Sequence, residues 1–216
     1  MAIKTIIFDL DGTLVDTARD LAEALSYAIA PWSRNPVSPE EVKPLVGEGI
    51  ERLIMKGLIR DTFDADSKEA VKRFVTFYND HLTDYTLPYD GVVSTLNKLG
   101  AYELGVLSNK RTAMCIQILK DLSLDSYFKV IVGGDTPEAK KPDPRAMQYV
   151  LEKMNAEPVT SVMVGDSDVD IEAAHSAGVM CVAVPYGFRP RESLLKADCL
   201  VDRITDLPTA IKLLVK

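Results

Sequence analysis

The spacing of apolar side chains changes period twice along the chain. Thr5 leads into Ile6, Ile7 and Phe8, β-branched or aromatic residues without polar alternation, and such a run predicts a strand buried on both faces of a parallel sheet. The run ends abruptly in Asp9-Leu10-Asp11-Gly12-Thr13. From residue 16 to residue 84 the period is helical. Leu21, Ala24, Leu25, Ala28 and Ile29 share one face until Pro31, a second helix is marked by Ile50, Leu53, Ile54 and Leu58, and a third spans 66–81 through Ala70, Phe74 and Tyr78. Asn35-Pro36 and Ser38-Pro39 read as loops between them. An all-helical block placed directly after the first strand predicts a small cap domain.

From Pro88 onward strands and helices alternate, as in a sheet wound by right-handed crossovers. Strands are expected at 103–107, 129–132, 161–164 and 180–184, with an edge at 199–201. Helices are expected at 92–99, 111–122, 144–154, 169–177 and 207–215. The fold class that follows is α/β, a doubly wound, Rossmann-like parallel sheet formed by residues 1–15 and 85–216, with the cap at 16–84.

Composition narrows the function classes without choosing one. Of 216 residues, 47% are hydrophobic and 26% charged, so neither disorder nor a membrane span is indicated. The net charge of −7 argues against nucleic acid as a partner, and an anionic ligand needs a local positive site. Cys115, Cys181 and Cys199 match no metal spacing and read as reduced core residues. Met1-Ala2-Ile3-Lys4 carries no basic-then-apolar leader, so a cytoplasmic location is expected.

Candidate chemistry gathers where strands end, because ligands of open α/β sheets bind at the carboxyl edge. Asp9 and Asp11 are two apart, an extended backbone sends both carboxylates to one side, and Gly12 permits a tight turn. Their repulsion calls for a proton or a cation, of which Mg²⁺ is the natural choice, although Asp-Gly after a strand is also an ordinary turn. Ser108-Asn109-Lys110 precedes a helix whose free N–H groups favour an anion, and Ser108 or Asn109 serves equally well as a plain cap. In Lys140-Lys141-Pro142-Asp143-Pro144 the prolines stiffen the backbone. Charge does not decide which lysine points inward; Lys141, directly before Pro142, is the more constrained. Asp166-Ser167-Asp168-Val169-Asp170 opens a helix with three acids, more than capping requires. His81 and His175 belong to no triad, which leaves the carboxylate of Asp9 as the candidate nucleophile.

Asp9-Leu10-Asp11-Gly12-Thr13, Ser108-Asn109-Lys110, Lys141-Pro142 and Gly165-Asp166-Ser167-Asp168-Val169-Asp170, in this order, resemble the four motifs of the haloacid dehalogenase-like hydrolase superfamily. The resemblance implies that Asp9 forms an aspartyl-phosphate and that Asp11 acts as general acid and then base. Ser108, Asn109, Lys141 and Thr13 would bind the phosphoryl group. Mg²⁺ would be held by Asp9, Asp166 and the backbone carbonyl of Asp11, with Asp170 behind them. Dehalogenase relatives carry tyrosine at Asp11, and β-phosphoglucomutase relatives carry histidine near Leu21 and arginine near Ile50. The chain is more similar to the phosphoglycolate phosphatase-like group through Asp16-Thr17-Ala18-Arg19-Asp20-Leu21, Val46-Gly47-Glu48-Gly49, Gly133-Gly134-Asp135 and Pro185-Tyr186-Gly187.

The expected activity is Mg²⁺-dependent hydrolysis of a small phosphomonoester, 2-phosphoglycolate leading. Arg52, in the cap, is a candidate partner for a substrate carboxylate and reads equally as a solvated helix residue. A phosphomutase, a pyrophosphatase or nucleotidase of the same fold, and a catalytically silent metabolite-binding module are the alternatives.

Overall fold

The computed structural model describes residues 2–33, 35–59, 66–136 and 139–214. Its main sheet has six parallel strands in the order β5-β4-β1-β6-β7-β8: β1 Thr5–Phe8, β4 Glu103–Leu107, β5 Val130–Val132, β6 Ser161–Gly165, β7 Met180–Ala183 and β8 Cys199–Leu200. The winding reverses at β1, which is paired on one side with β4 (Ile6 opposite Leu104) and on the other with β6 (Ile6 opposite Val162). The α/β doubly wound architecture is therefore present.

β1 shows why its sequence lacks alternation. Ile6 and Phe8 enter one apolar cluster and Ile7 the other, so both faces of the strand are covered. The second cluster is closed by α7 (Pro144–Met154) and α8 (Asp168–Ser176), through Met147, Val150, Met154, Ile171 and Ala174. Helices α5 (Val92–Lys98), α6 (Thr112–Asp121) and α9 (Leu207–Leu213) cover the first. The expected end of the last helix at residue 215 lies outside the described residues.

Among the described residues, four α-helices lie between β2 (Val15–Asp16) and β3 (Leu87–Pro88): α1 Ala18–Ile29, α2 Pro39–Val42, α3 Ile50–Ile59 and α4 Ser67–Asp80. The sequence pattern missed both two-residue strands, which pair antiparallel where the chain leaves and re-enters the sheet region. It also read Ser38-Pro39 as loop. There Ser38 caps α2, accepting from Glu41 N, while the Glu41 carboxylate accepts from Ser38 N, a reciprocal arrangement that stabilises even one helical turn. α1 is rich in alanine and packs closely on its neighbours; a Cβ at Gly57 of α3 would lie 2.9 Å from Leu25. Phe74 and Tyr78 of α4 are essentially fully buried against this group.

The return of the chain is held by a buried carboxylate. Asp20 of α1, 2% exposed, accepts from Thr86 N (2.8 Å), Thr86 Oγ1 (2.6 Å) and Tyr85 N (3.1 Å). Nothing in the spacing of Asp20 announces this, because its partners lie 65 residues away. Replacing it leaves donors without an acceptor, so Asp20→Ala is expected to lower unfolding free energy by about 2–4 kcal/mol in urea titrations, well beyond a surface Asp→Ala.

Candidate active site

The carboxyl edge of the sheet brings the expected residues together. β1 delivers Asp9, β4 delivers Ser108 and Asn109, β6 delivers Asp166, and the segment entering α7 supplies Lys141. All of them line one cleft of about 670 Å³, counting its open mouth. Leu21 of α1, Ile50 and Leu53 of α3, and Phe74 and Tyr78 of α4 form the opposite wall.

Lys141 is the inward lysine. Its side chain is 2% exposed, with Nζ 2.6 Å from Asp170 Oδ1 and 2.8 Å from Asp9 Oδ1. Burial works to lower its pKa, but Asp170 and Asp9 outweigh burial and hold the ammonium above its ordinary range. Lys140 instead reaches Glu51 of α3 at 3.3 Å. Asp170 is committed twice, because its Oδ2 accepts from Ser167 Oγ (2.6 Å) and Ser167 N (3.1 Å) in the capping box of α8. One residue thus starts the helix and aims the lysine.

Asp166 lies against the turn after β1. Its Oδ2 accepts from Phe188 N at 2.6 Å and its Oδ1 from Thr13 Oγ1 at 3.2 Å. Gly12 has φ +85°, and a Cβ there would fall 2.4 Å from Asp166 Oδ2, so both the conformation and the close approach demand glycine. Burial first, then Asp170 and Asp9, pushes the Asp166 carboxyl well above its ordinary pKa. Burial likewise raises Asp9 to about 7, against the pull of Lys141.

These charges bear on a metal. Among the described residues, Asp9, Asp11, Asp166 and Asp170 face only Lys110 and Lys141 as close ammonium partners, an excess of two negative charges when all are ionised. Oxygens of Asp9, Asp166 and Asp170 lie within 4.8 Å of one another. Asp9 Oδ1 is buried and receives no well-directed hydrogen bond from the described residues, although Lys141 is close. An all-oxygen donor set with that excess fits a hard divalent cation.

Asp11 is held through one oxygen. Thr17 Oγ1 donates to its Oδ1 at 2.7 Å, and Lys110 Nζ stands 3.1 Å from the same oxygen. Lys110 also donates to Tyr78 Oη on α4 at 2.7 Å. Burial opposes the Lys110 charge, but Asp11 and Tyr78 keep its pKa raised. Sequence reasoning quoted Lys110 only as part of a motif and Tyr78 only as part of an apolar face. A hydroxyl on that face was the available signal for the second.

Three candidate residues are placed differently from expectation. The Asn109 amide is spent on backbone: Nδ2 donates to Gly47 O (2.7 Å) and Lys141 O (2.8 Å), and Oδ1 accepts from Lys141 N (2.8 Å). That side chain fixes the backbone of the lysine and reaches Gly47 in the loop before α3. Thr13 is fully buried and orients Asp166 rather than a phosphoryl group. Arg52 is outside the cleft, its side chain 65% exposed and 3.9 Å from Glu48 one helical turn earlier, because α3 turns Ile50 and Leu53 inward instead. His81 and His175 pair with Asp84 and Asp198 at the surface, away from the cleft.

Residues 6–184 match the haloacid dehalogenase-like hydrolase family. The chain belongs to this family. It is 36% identical to a phosphoglycolate phosphatase of Chromobacterium violaceum, with 97% of each chain covered, and 36% identical to one of Aquifex aeolicus, with 95% of each covered. Among solved structures, one described as a predicted phosphoglycolate phosphatase from Haemophilus somnus superposes with a TM-score of 0.87 at 29% identity, covering 96% of this chain and 97% of that one.

In this haloacid dehalogenase-like hydrolase the Lys141–Asp170 contact is open to a direct test. Asp170→Asn removes the charge that retains the lysine while keeping the size of the side chain. It is expected to cost about 3–5 kcal/mol of stability in denaturant titrations and to lower phosphate release at least about tenfold, since the ammonium is no longer aimed.

Proposed function

We propose that the chain is a Mg²⁺-dependent phosphatase that hydrolyses a small phosphomonoester, with 2-phosphoglycolate the leading candidate. The observation that carries this reading is the meeting of Asp9, Asp11, Lys141 and Asp166 in one cleft at the sheet edge. Two relatives named phosphoglycolate phosphatase, matched over nearly their whole length, favour the substrate.

In this mechanism the Asp9 carboxylate attacks phosphorus and the bond to the alcohol oxygen breaks. Asp11 gives that oxygen a proton. The same carboxylate then takes a proton from water as the water attacks phosphorus of the aspartyl-phosphate, releasing inorganic phosphate and restoring Asp9. Ser108 and Lys141 hold the oxygens of the transferred group, and the charge of Lys141 is worth more in a cleft with little water. Asp9, Asp166 and the carbonyl of Asp11 would hold Mg²⁺, which when bound supplies positive charge to the phosphoryl oxygens. Asp170 and Thr13 act through Lys141 and Asp166.

Residues 16–84 form the cap in this proposal, and residues 1–15 with 85–216 the catalytic core. The β2–β3 pair is the natural hinge. Core side chains grip the cap across the cleft: Arg189 donates to Lys43 O (2.9 Å) and Val46 O (2.5 Å), and Asn109 to Gly47 O. Such contacts would exclude bulk water while the phosphoryl group is in transit.

Phosphate release from a panel of small phosphomonoesters is the test, with and without Mg²⁺. Asp9→Asn is expected to reduce turnover at least about 10³-fold while the far-UV circular dichroism stays that of the unaltered protein, and a chelator to abolish activity until Mg²⁺ is returned. Turnover by Asp9→Asn would overturn the mechanism.

A further inference from the structure

In a phosphoryl transfer the leaving alcohol departs on the side opposite the nucleophile. With Asp9 attacking, the alcohol extends from Asp11 toward the wall made by α1, α3 and α4. That wall is apolar, with Leu21, Ile50, Leu53 and Phe74 facing the cleft and Met114 beside them. An anionic group on the alcohol therefore has few places to go.

Three cationic side chains line the cleft: Lys110, Lys141 and Arg189. Lys141 is enclosed between Asp9 and Asp170, and Arg189 is engaged by the Lys43 and Val46 carbonyls. Lys141 faces the phosphoryl group in the mechanism above, which leaves Lys110 as the cation not yet assigned to the substrate. Its ammonium has three donors; Tyr78 Oη takes one at 2.7 Å, Asp11 Oδ1 stands at 3.1 Å for a second, and the third has no acceptor among the described residues. The position is one hydrogen-bond length beyond the carboxylate that serves the leaving oxygen, which is the reach of a substituent on the neighbouring carbon.

We infer that Lys110 is the specificity-determining residue, binding a carboxylate borne on the carbon next to the ester oxygen, so that the preferred substrates are short phosphoryloxy carboxylates. This rests on the phosphatase reading above. The apolar wall sharpens the choice, because a carboxylate placed there without Lys110 is desolvated and unpaired, whereas an ester lacking it leaves a buried donor unused. Tyr78 orients the ammonium from α4, so the cap acts on specificity through one hydroxyl rather than through an arginine of its own. Thr17 Oγ1 still holds Asp11 when Lys110 turns to a ligand.

The test compares kcat/KM for 2-phosphoglycolate and for ethyl phosphate, which has a methyl group in place of the carboxylate, in the unaltered protein and in Lys110→Met. Any loss from disturbing Asp11, or from a partly unfolded preparation, affects both esters and cancels in the ratio. The unaltered protein is expected to prefer 2-phosphoglycolate by more than about tenfold, and Lys110→Met to shrink that preference by at least about tenfold. A preference that survives in Lys110→Met, or one absent from the unaltered protein while both esters are hydrolysed, overturns the assignment. If Lys110→Met does not fold, Tyr78→Phe removes the orienting hydroxyl alone; it is expected to reduce the ratio at least about threefold, and an unchanged ratio overturns the inference. Failure to release phosphate from either ester or from 4-nitrophenyl phosphate would instead strike the phosphatase reading, and this inference with it.

Discussion

Lys141 carries its positive charge where water hardly reaches, and the rest of the site is arranged around that fact. Taking an ammonium out of water costs several kcal/mol, which only close anions can offset. Asp9 supplies one from the end of β1 and Asp170 another from the first turn of α8, and the backbone of the lysine is fixed by the Asn109 amide just after β4. The sheet order matters for this reason. With β1 between β4 and β6, the three strand ends are close enough for one cation to be shared.

The arrangement also explains the division of labour among the acids. Asp170 is enclosed and doubly bonded, so it acts as a fixed counter-charge. Among the described residues, Asp9 keeps a buried oxygen without a well-directed donor, and Asp166 is steadied by one hydroxyl and one backbone N–H. In the low dielectric of the cleft, neighbouring carboxylates of this kind are stable only with protons or with a divalent cation between them.

What could be read from the sequence was local. The apolar run of β1, the acids that end it, the lysine before Pro142 and the acidic turn after Gly165 each announce themselves within a few residues. The helical period of α1, α3 and α4 did so as well. What escaped was built from long separations: Asp20 with Thr86, Lys110 with Tyr78, and β2 with β3. Arg52 shows the converse. A cation at the right distance from a Gly-rich turn is attractive on paper, but helix periodicity decides which side faces the cleft, and Ile50 and Leu53 already occupy it.

The position of β1 has a consequence for how the molecule is made. Its four residues are synthesised before either of their partners, Glu103–Val106 on one side and Ser161–Val164 on the other. At usual ribosomal speeds, about ten to thirty seconds separate Thr5 from Ser161, and through that interval a strand that ends fully buried has at least one open edge. The helices encoded between β2 and β3 can form locally during the wait. Asp9 therefore reaches its place late, when the strand before it is finally enclosed, and slow non-local pairing rather than helix formation is expected to set the pace of folding.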